Sequence, residues 1–363
     1  MRIFKYLRFL LAAFAFHLVL SFLLTTPTKS ASDLMWEGYY EQEDLDTLFV
    51  GSSLCKVSFN PLIFDECLGT NSYNMGTPSQ AMSQTLRSVE IALKEHDIQT
   101  IIFGMSYSSF KHEPVGEAEL TFEKARVTQR GGIQSIFDTI NYLYSEDVRT
   151  EEKSINFLFP WLYNRSEISL EMIKQNVSMK LQGKSGSSDD PLLDNAPFYK
   201  GYQNATTAVV NYDNRWVENS YWHYDAEFDE DMIAELEELM QLCQEKGVEL
   251  IIINTPRPSF DTIVCYEYFE DNEREFTELC EKYNVDYYDF NLAKQEAFQS
   301  QPDYYSDHEH LNEAGATAFA NSLCELLIRR ENGEDVEKDF MTFDEFLEIY
   351  SFWFGEWKAI VEK

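Results

Sequence analysis

The sequence predicts an α/β fold, a three-layer α/β/α sandwich around a mostly parallel five-stranded sheet, interrupted by one long insertion. Three observations carry that prediction. Short strand-like runs begin at Thr47, Ser72, Thr100, Leu250 and Val285, and four of them are strongly apolar or end abruptly at glycine or asparagine. Segments with helical periodicity separate them, and buried strands alternating with helices call for a parallel sheet covered on both faces. Finally, 363 residues with 44% hydrophobic side chains suffice for one large domain or two ordinary ones.

Taken in order, the chain opens with Arg2, Lys5 and Arg8 ahead of residues 9–24, which are apolar apart from His17 and Ser21. Sixteen helical residues rise about 24 Å against a hydrocarbon core of about 30 Å. That length lies between a signal-peptide core and a membrane anchor. Ser30-Ala31-Ser32 offers small residues for cleavage, whereas Tyr6 and the basic flank extend the span by snorkelling. The positive flank holds the N-terminus inside. The remainder is therefore expected outside the cytoplasm, anchored by residues 1–30 or secreted if they are cleaved, and a retained anchor is the favoured reading. Residues 31–46 form an acidic tether.

Thr47-Leu48-Phe49-Val50-Gly51-Ser52-Ser53 reads as a buried strand that stops at a glycine and two serines. A parallel sheet carries its chemistry at the carboxyl ends of its strands, and this one delivers a hydroxyl there. A loop is expected next, then a strand at Ser72-Tyr73-Asn74-Met75-Gly76. Thr77 and Pro78 look like the N-cap and first residue of a helix whose apolar face is Met82, Leu86, Val89 and Leu93. A third strand over 100–104 runs into Met105-Ser106-Tyr107. From about 111 to 228 the alternation fails. This insertion holds Trp161, Trp216, Trp222 and the polar stretch 183–188; its tryptophans are expected in packing, with stacking on sugar rings as the alternative.

Regularity returns at Asp229, with Met232, Ile233, Leu236, Leu239, Met240 and Cys243 on one helical face and Lys246-Gly247 as its C-cap. Residues 250–254 form a fourth strand, stopped by Thr255-Pro256. A helix with Phe276, Leu279, Cys280 and Tyr283 facing inward leads to the fifth strand over 285–290. Asn312 then N-caps a helix carrying Phe319, Leu323, Leu326 and Leu327. After residue 331 an acidic linker reaches Thr342, which forms a capping box with Glu345. The aromatic helix over 343–361 is expected to dock on the domain, the alternative being a membrane or a partner surface.

Charge and cysteine content exclude several classes. With 63 acidic against 29 basic side chains the formal charge is −34, which repels phosphate backbones and disfavours nucleic acid. None of the six cysteines forms a Cys-x-x-Cys pair, so zinc ribbons and thioredoxin-like sites lack their spacing. Cys243, Cys280 and Cys324 sit at apolar helix positions and are expected in the core, while Cys55 and Cys67 are the pair open to oxidation. No cofactor is called for.

Asp307-x-x-His310 supplies a base and its orienter within one short loop. The carboxylate folds back onto one imidazole nitrogen and leaves the other for a serine hydroxyl, which becomes nucleophilic only when a base takes its proton. The amides of Ser53 and Gly76 are candidate oxyanion donors. Ser52 is the rival nucleophile and His308 the rival base. A metal reading of His308-Glu309-His310 lacks a further His or Cys cluster. His96, His112 and His223 have no paired acid at a telling distance.

Gly51-Ser52-Ser53, Gly76 and Asp307-x-x-His310-Leu311-Asn312, in that order, resemble the SGNH (GDSL-type) hydrolase superfamily. The closer likeness is to its membrane-anchored cell-envelope branch, which includes the D-alanyl-transfer protein of teichoic acid modification and alginate O-acetylation proteins. The resemblance covers roughly residues 45–110 and 229–330 of a domain over 47–330, leaving the insertion and residues 331–363 unexplained. It implies a flavodoxin-like sandwich with Ser53 as nucleophile, His310 as base and Asp307 as its partner. It also implies an envelope glycan or teichoic-type polymer as substrate and a membrane-bound O-acyltransferase as partner. The chain departs from the pattern after the third strand, where Ser106 stands in place of the asparagine that completes the family's oxyanion hole, as a weaker candidate donor.

Overall fold

The computed structural model describes residues 2–27, 29–111, 116–144, 159, 161, 168–182, 198–204, 206–214, 216 and 227–361. They fall into two compact units, Met1–Glu37 with Leu120–Asp194, and Gly38–Glu119 with Asn195–Lys363.

The first unit contains α1 (Arg2–Leu24), then most of α2 (Ala31–Tyr39) and of α6 (Gly116–Gln129), both shared with the second unit, and α7 (Gly132–Tyr144) and α8 (Leu170–Leu181). Within α1, residues Ile3–Leu24 are long and apolar enough to cross a bilayer. Their 22 residues rise about 33 Å, because Ile3, Phe4, Tyr6 and Leu7 extend the apolar run through its basic flank. The stretch read as a tether contains α2, whose Trp36 is buried and meets Phe122 of α6 edge-on at 5.5 Å.

The second unit holds the sheet, made of β1 (Thr47–Gly51), β2 (Ser72–Asn74), β3 (Thr100–Met105), β4 (Glu249–Asn254) and β5 (Asp286–Asp289). Every pairing is parallel and the strand order is β2-β1-β3-β4-β5, which is the flavodoxin-like order. Register places Phe49, Ile102 and Ile251 side by side. Because strand side chains alternate between faces, this row points one way, into a core shared with Phe59, Phe64 and Phe319. That face is covered by α3 (Ser53–Ser58), α4 (Pro61–Leu68) and α12 (Glu313–Glu331). The opposite face is covered by α5 (Met82–Glu95) and α9 (Glu230–Lys246), which pack on each other. The sandwich therefore has three layers, as the alternation of elements predicts.

Three local expectations need correction. Where a loop was expected after Ser53, the chain forms α3 and α4; Asn60 N-caps the latter by accepting from the Leu62 amide at 3.1 Å, with Pro61 at the first helical position. Thr77 does not cap α5, since Ser79 adopts φ +52° and breaks the turn, and the Thr77 hydroxyl bonds Gln80 instead. α5 starts at Met82, where the Gln84 side chain accepts the Ala81 amide. Cys324 is not a core thiol, because it is disulfide-bonded to Cys67. Cys55 points into the sheet from α3 and is a buried free thiol, whereas Cys67 on α4 faces α12 across a Cα separation of 6.4 Å.

Beyond β4, α10 (Ser259–Val264) and α11 (Tyr266–Tyr283) lead to β5. The C-terminal helix divides at Tyr350 into α13 (Phe343–Ile349) and α14 (Ser351–Val361), where the Tyr350 ring lies between Phe346 and Trp353. Thr342 and Glu345 form the capping box. Phe346 and Trp357 are buried, so these helices dock on their own unit, with Trp216 against Trp357 at 5.4 Å. Trp161 lies in the first unit near Phe159 and His17. Trp222, His112, His223 and the stretch 183–188 lie outside the described residues.

Candidate active site

The site begins with two glycines. Gly51 ends β1 at φ +139°, and a Cβ there would lie 2.2 Å from the Gly104 carbonyl oxygen. Gly104, its register partner on β3, would drive a Cβ to 2.4 Å from the Phe59 ring. Only without side chains at both positions can α3 settle over the strand ends. Ser52 is then the extended N-cap and Ser53 the first helical residue.

Asn74, at the end of β2, secures this short helix. Its Nδ2 donates to the carbonyls of Cys55 and Phe59 at 2.9 and 2.8 Å, while its Oδ1 accepts the Gly76 amide at 2.9 Å. Gly76 itself passes close to α3, where a Cβ would lie 2.7 Å from the Lys56 nitrogen. From the insertion, buried Asn204 donates to the carbonyls of Val57 and Leu311 at 3.0 and 3.1 Å. It thereby ties α3 to the loop that carries the histidine.

That loop closes on itself. Tyr305 and Leu311 form an antiparallel bridge, and the Ser306 amide donates to the His310 carbonyl at 2.9 Å. Asn312 N-caps α12 through the Gly315 amide and donates to the carbonyls of Ala208 and Asp303. Asp307 Oδ1 accepts the amides of Glu309 and His310 at 2.8 Å each.

The His310 ring lies between Asp307 and Ser53. Its Nδ1 is 3.0 Å from both Asp307 carboxylate oxygens, and its Nε2 is 2.8 Å from Ser53 Oγ. With the carboxylate on Nδ1, the ring carries its proton there and Nε2 accepts from the Ser53 hydroxyl. Burial opposes charge on Asp307. The hydrogen bond and charge of His310, with the two amides, outweigh it and bring the carboxyl down to about 2. Burial likewise opposes the imidazolium, yet Asp307 and Glu309 hold His310 above its ordinary value, against a lowering contribution from Arg257.

The serine that meets His310 is thus Ser53. His308 instead stacks edge-on against Phe260 at 5.5 Å, and Glu309 pairs with Arg257. The Ser106 hydroxyl, at the end of β3, is held at 2.7 Å by both Arg257 Nη2 and Ser108 Oγ. Among the expected oxyanion donors, then, the Gly76 amide is engaged by Asn74 and Ser106 by Arg257. His96 accepts from the Leu45 amide just before β1, at the amino rather than the carboxyl ends of the strands.

Arg257 is the residue that the sequence reading passes over. It follows β4, is 7% exposed, and donates to Ser106, Ser108, Asp261 and Glu309 at 2.7, 2.8, 2.9 and 3.2 Å. Its backbone amide donates to Asn291, whose side chain donates to Asp289. Asp289 also accepts from Asn254 and the Tyr107 hydroxyl, each at 2.9 Å, and burial raises its pKa. The ends of β3, β4 and β5 are therefore joined by one polar network. It borders a cavity of about 20 Å³, room for roughly one water, lined by Ser106, Ser108, Asn254, Arg257, Asp261 and Asn291. The one signal in the sequence is an arginine directly after a strand-ending Thr-Pro.

No protein-family model matches the chain, and no curated protein matches it. Among solved structures, a protein from Streptococcus pneumonia provisionally described as a platelet activating factor aligns with 87% of this chain and 99% of its own. Its identity is 14% and its TM-score 0.39.

Proposed function

We propose that this chain is an extracytoplasmic, serine-dependent acyl-transfer enzyme of the SGNH type, an esterase or O-acyltransferase acting on a cell-envelope polysaccharide or teichoic-type polymer. The observation that carries the reading is the contact of Ser53 Oγ with His310 Nε2 at 2.8 Å while Asp307 grips the opposite nitrogen. In this mechanism His310 takes the Ser53 proton as Oγ attacks an acyl carbonyl. The Asp307 carboxylate steadies the imidazolium that forms. Collapse of the tetrahedral intermediate passes that proton from His310 to the departing alcohol and leaves Ser53 acylated. A glycan hydroxyl or water, deprotonated by His310, then attacks the acyl-enzyme and restores Ser53. The Ser53 amide, at the start of α3, serves the developing oxyanion.

A catalytically idle glycan-binding or scaffold module of an envelope complex is the second reading. The engagement of the Gly76 amide by Asn74 and of Ser106 by Arg257 favours it.

The two separate on treating the full-length chain in detergent with a fluorophosphonate probe. Under the enzyme reading the parent is labelled and Ser53→Ala and His310→Ala are not. An activated acetyl ester then loses acetate at least about 10³-fold faster with the parent than with Ser53→Ala. Labelling retained in Ser53→Ala removes that serine from the mechanism. A parent that neither labels nor releases acetate is the binding module.

A further inference from the structure

In the unit that carries α1, one helix is built the wrong way round for water. On α7, Ile133, Ile136, Phe137, Ile140 and Tyr144 recur at helical spacing within an arc of about 100°. All five are exposed, from 46% at Ile140 to 72% at Tyr144, and no residue of α7 is fully buried. Its half-covered side carries Ser135, Asp138 and Thr139 together with Tyr142 and Leu143. Ser135 donates to the Val127 carbonyl at 2.5 Å, and Asp138 accepts from Gln134 at 2.9 Å and lies 3.8 Å from Arg130. A helix on a water-soluble surface buries its apolar stripe and exposes its polar one. Here the five-residue apolar stripe is exposed instead, and a contiguous exposed apolar strip marks a contact surface.

Two features of the same unit indicate what covers it. The first is position. α7 begins three residues after the end of α6, whose last residue, Gln129, donates to Asp33 at 2.9 Å. Asp33 lies nine residues beyond the end of α1. α8 packs along α1, and its Lys180 donates to the carbonyls of Phe22 and Thr25 at 2.6 and 2.5 Å. α7 therefore starts beside the exit of the helix long enough to cross a bilayer.

The second is charge. This unit has 13 basic and 13 acidic side chains, whereas the other has 16 and 50. The whole excess of 34 negative charges lies outside it, so the repulsion from an anionic surface felt by the other unit is absent here.

We propose that α7 is an interfacial helix whose stripe lies in the lipid surface next to α1. The inference rests on α1 remaining in the chain as its anchor. With α7 embedded, this unit is seated on the bilayer rather than suspended from a single span, since buried apolar area sets the strength of such binding.

The test uses the full-length chain in vesicles of phosphatidylcholine with a minor share of phosphatidylglycerol. Ile136→Cys carries an environment-sensitive fluorophore, and Phe352→Cys, exposed in the other unit, serves as control. Cys55, Cys243, Cys265 and Cys280 are buried, so the new thiol takes the label. The expected result is a blue-shifted label at 136, quenched by nitroxide on the lipid chains and severalfold less open to aqueous iodide than the label at 352. Adding Ile133→Asp and Ile140→Asp should return the label to water while the chain still floats with the vesicles. A label at 136 that is open to iodide in floating chains overturns the inference and leaves the anchor standing. Protection from iodide without lipid quenching overturns it in favour of a protein cover. A chain that does not float overturns both.

Discussion

At His310 the imidazole feels a carboxylate that favours its proton and a guanidinium charge that opposes it. Burial alone would depress its pKa, and Asp307 with Glu309 reverse the sign. A base must be neutral to take the Ser53 proton, so the acid limb of kcat/KM is expected above the ordinary histidine value of about 6.5. Asp307→Asn removes the main raising influence. Its limb should move to lower pH while kcat falls by about 10²–10⁴-fold, read from pH–rate profiles. Arg257→Met removes a lowering influence and should move the limb upward. The same substitution breaks the buried ion pair with Asp261 and should cost about 3–5 kcal/mol in chemical denaturation. Linkage gives opposite signs for the pair. The contribution of His310, with its raised pKa, is present below about 6.5 and lost as pH rises through the folded value. That of Asp307 is present above about 3.9 and lost as pH falls towards its folded value of about 2. The pairing of Asp307 with His310 was legible because it spans three residues. Arg257 and Asn204 were not, because each bonds groups about 150 residues away.

Among the elements, α3–α4 are joined twice at the same sequence interval to the segment made of α12 and the loop entering it. Ser53 meets His310 and Cys67 is bonded to Cys324, each pair 257 residues apart. The disulfide thus fastens the segment following the serine to the helix following the histidine. Cys67→Ser is expected to lower stability by about 2–5 kcal/mol in chemical denaturation, with reductant producing the same loss in the parent and none in the variant. β1 and β3 were readable as apolar runs ending in glycine. Why both glycines are needed was not, since a Cβ on Gly51 would collide with the Gly104 carbonyl and one on Gly104 with the Phe59 ring. The missing helix after Ser53 had a readable start in Asn60-Pro61, whereas α3 itself spans six residues and draws its support from Asn74 on a neighbouring strand.

For the whole molecule, the charge asymmetry has a kinetic consequence. A site carried by the acidic unit repels anionic substrates, and salt screens that repulsion within a Debye length of about 10 Å at 0.1 M. For hydrolysis of paired esters, raising ionic strength should increase kcat/KM for the anionic one and leave the neutral one nearly unchanged. Equal salt responses would contradict electrostatic control of access. By itself, the sequence determined the layered α/β architecture, the apolar N-terminal helix and the Asp307–His310 pairing. Each follows from periodicity or short spacing, which are properties of neighbouring residues. Tertiary structure alone decided the Cys67–Cys324 bond, the Arg257 network and the outward stripe of α7. These depend on which distant surfaces meet, and local pattern specifies that an apolar face must be covered without specifying by what.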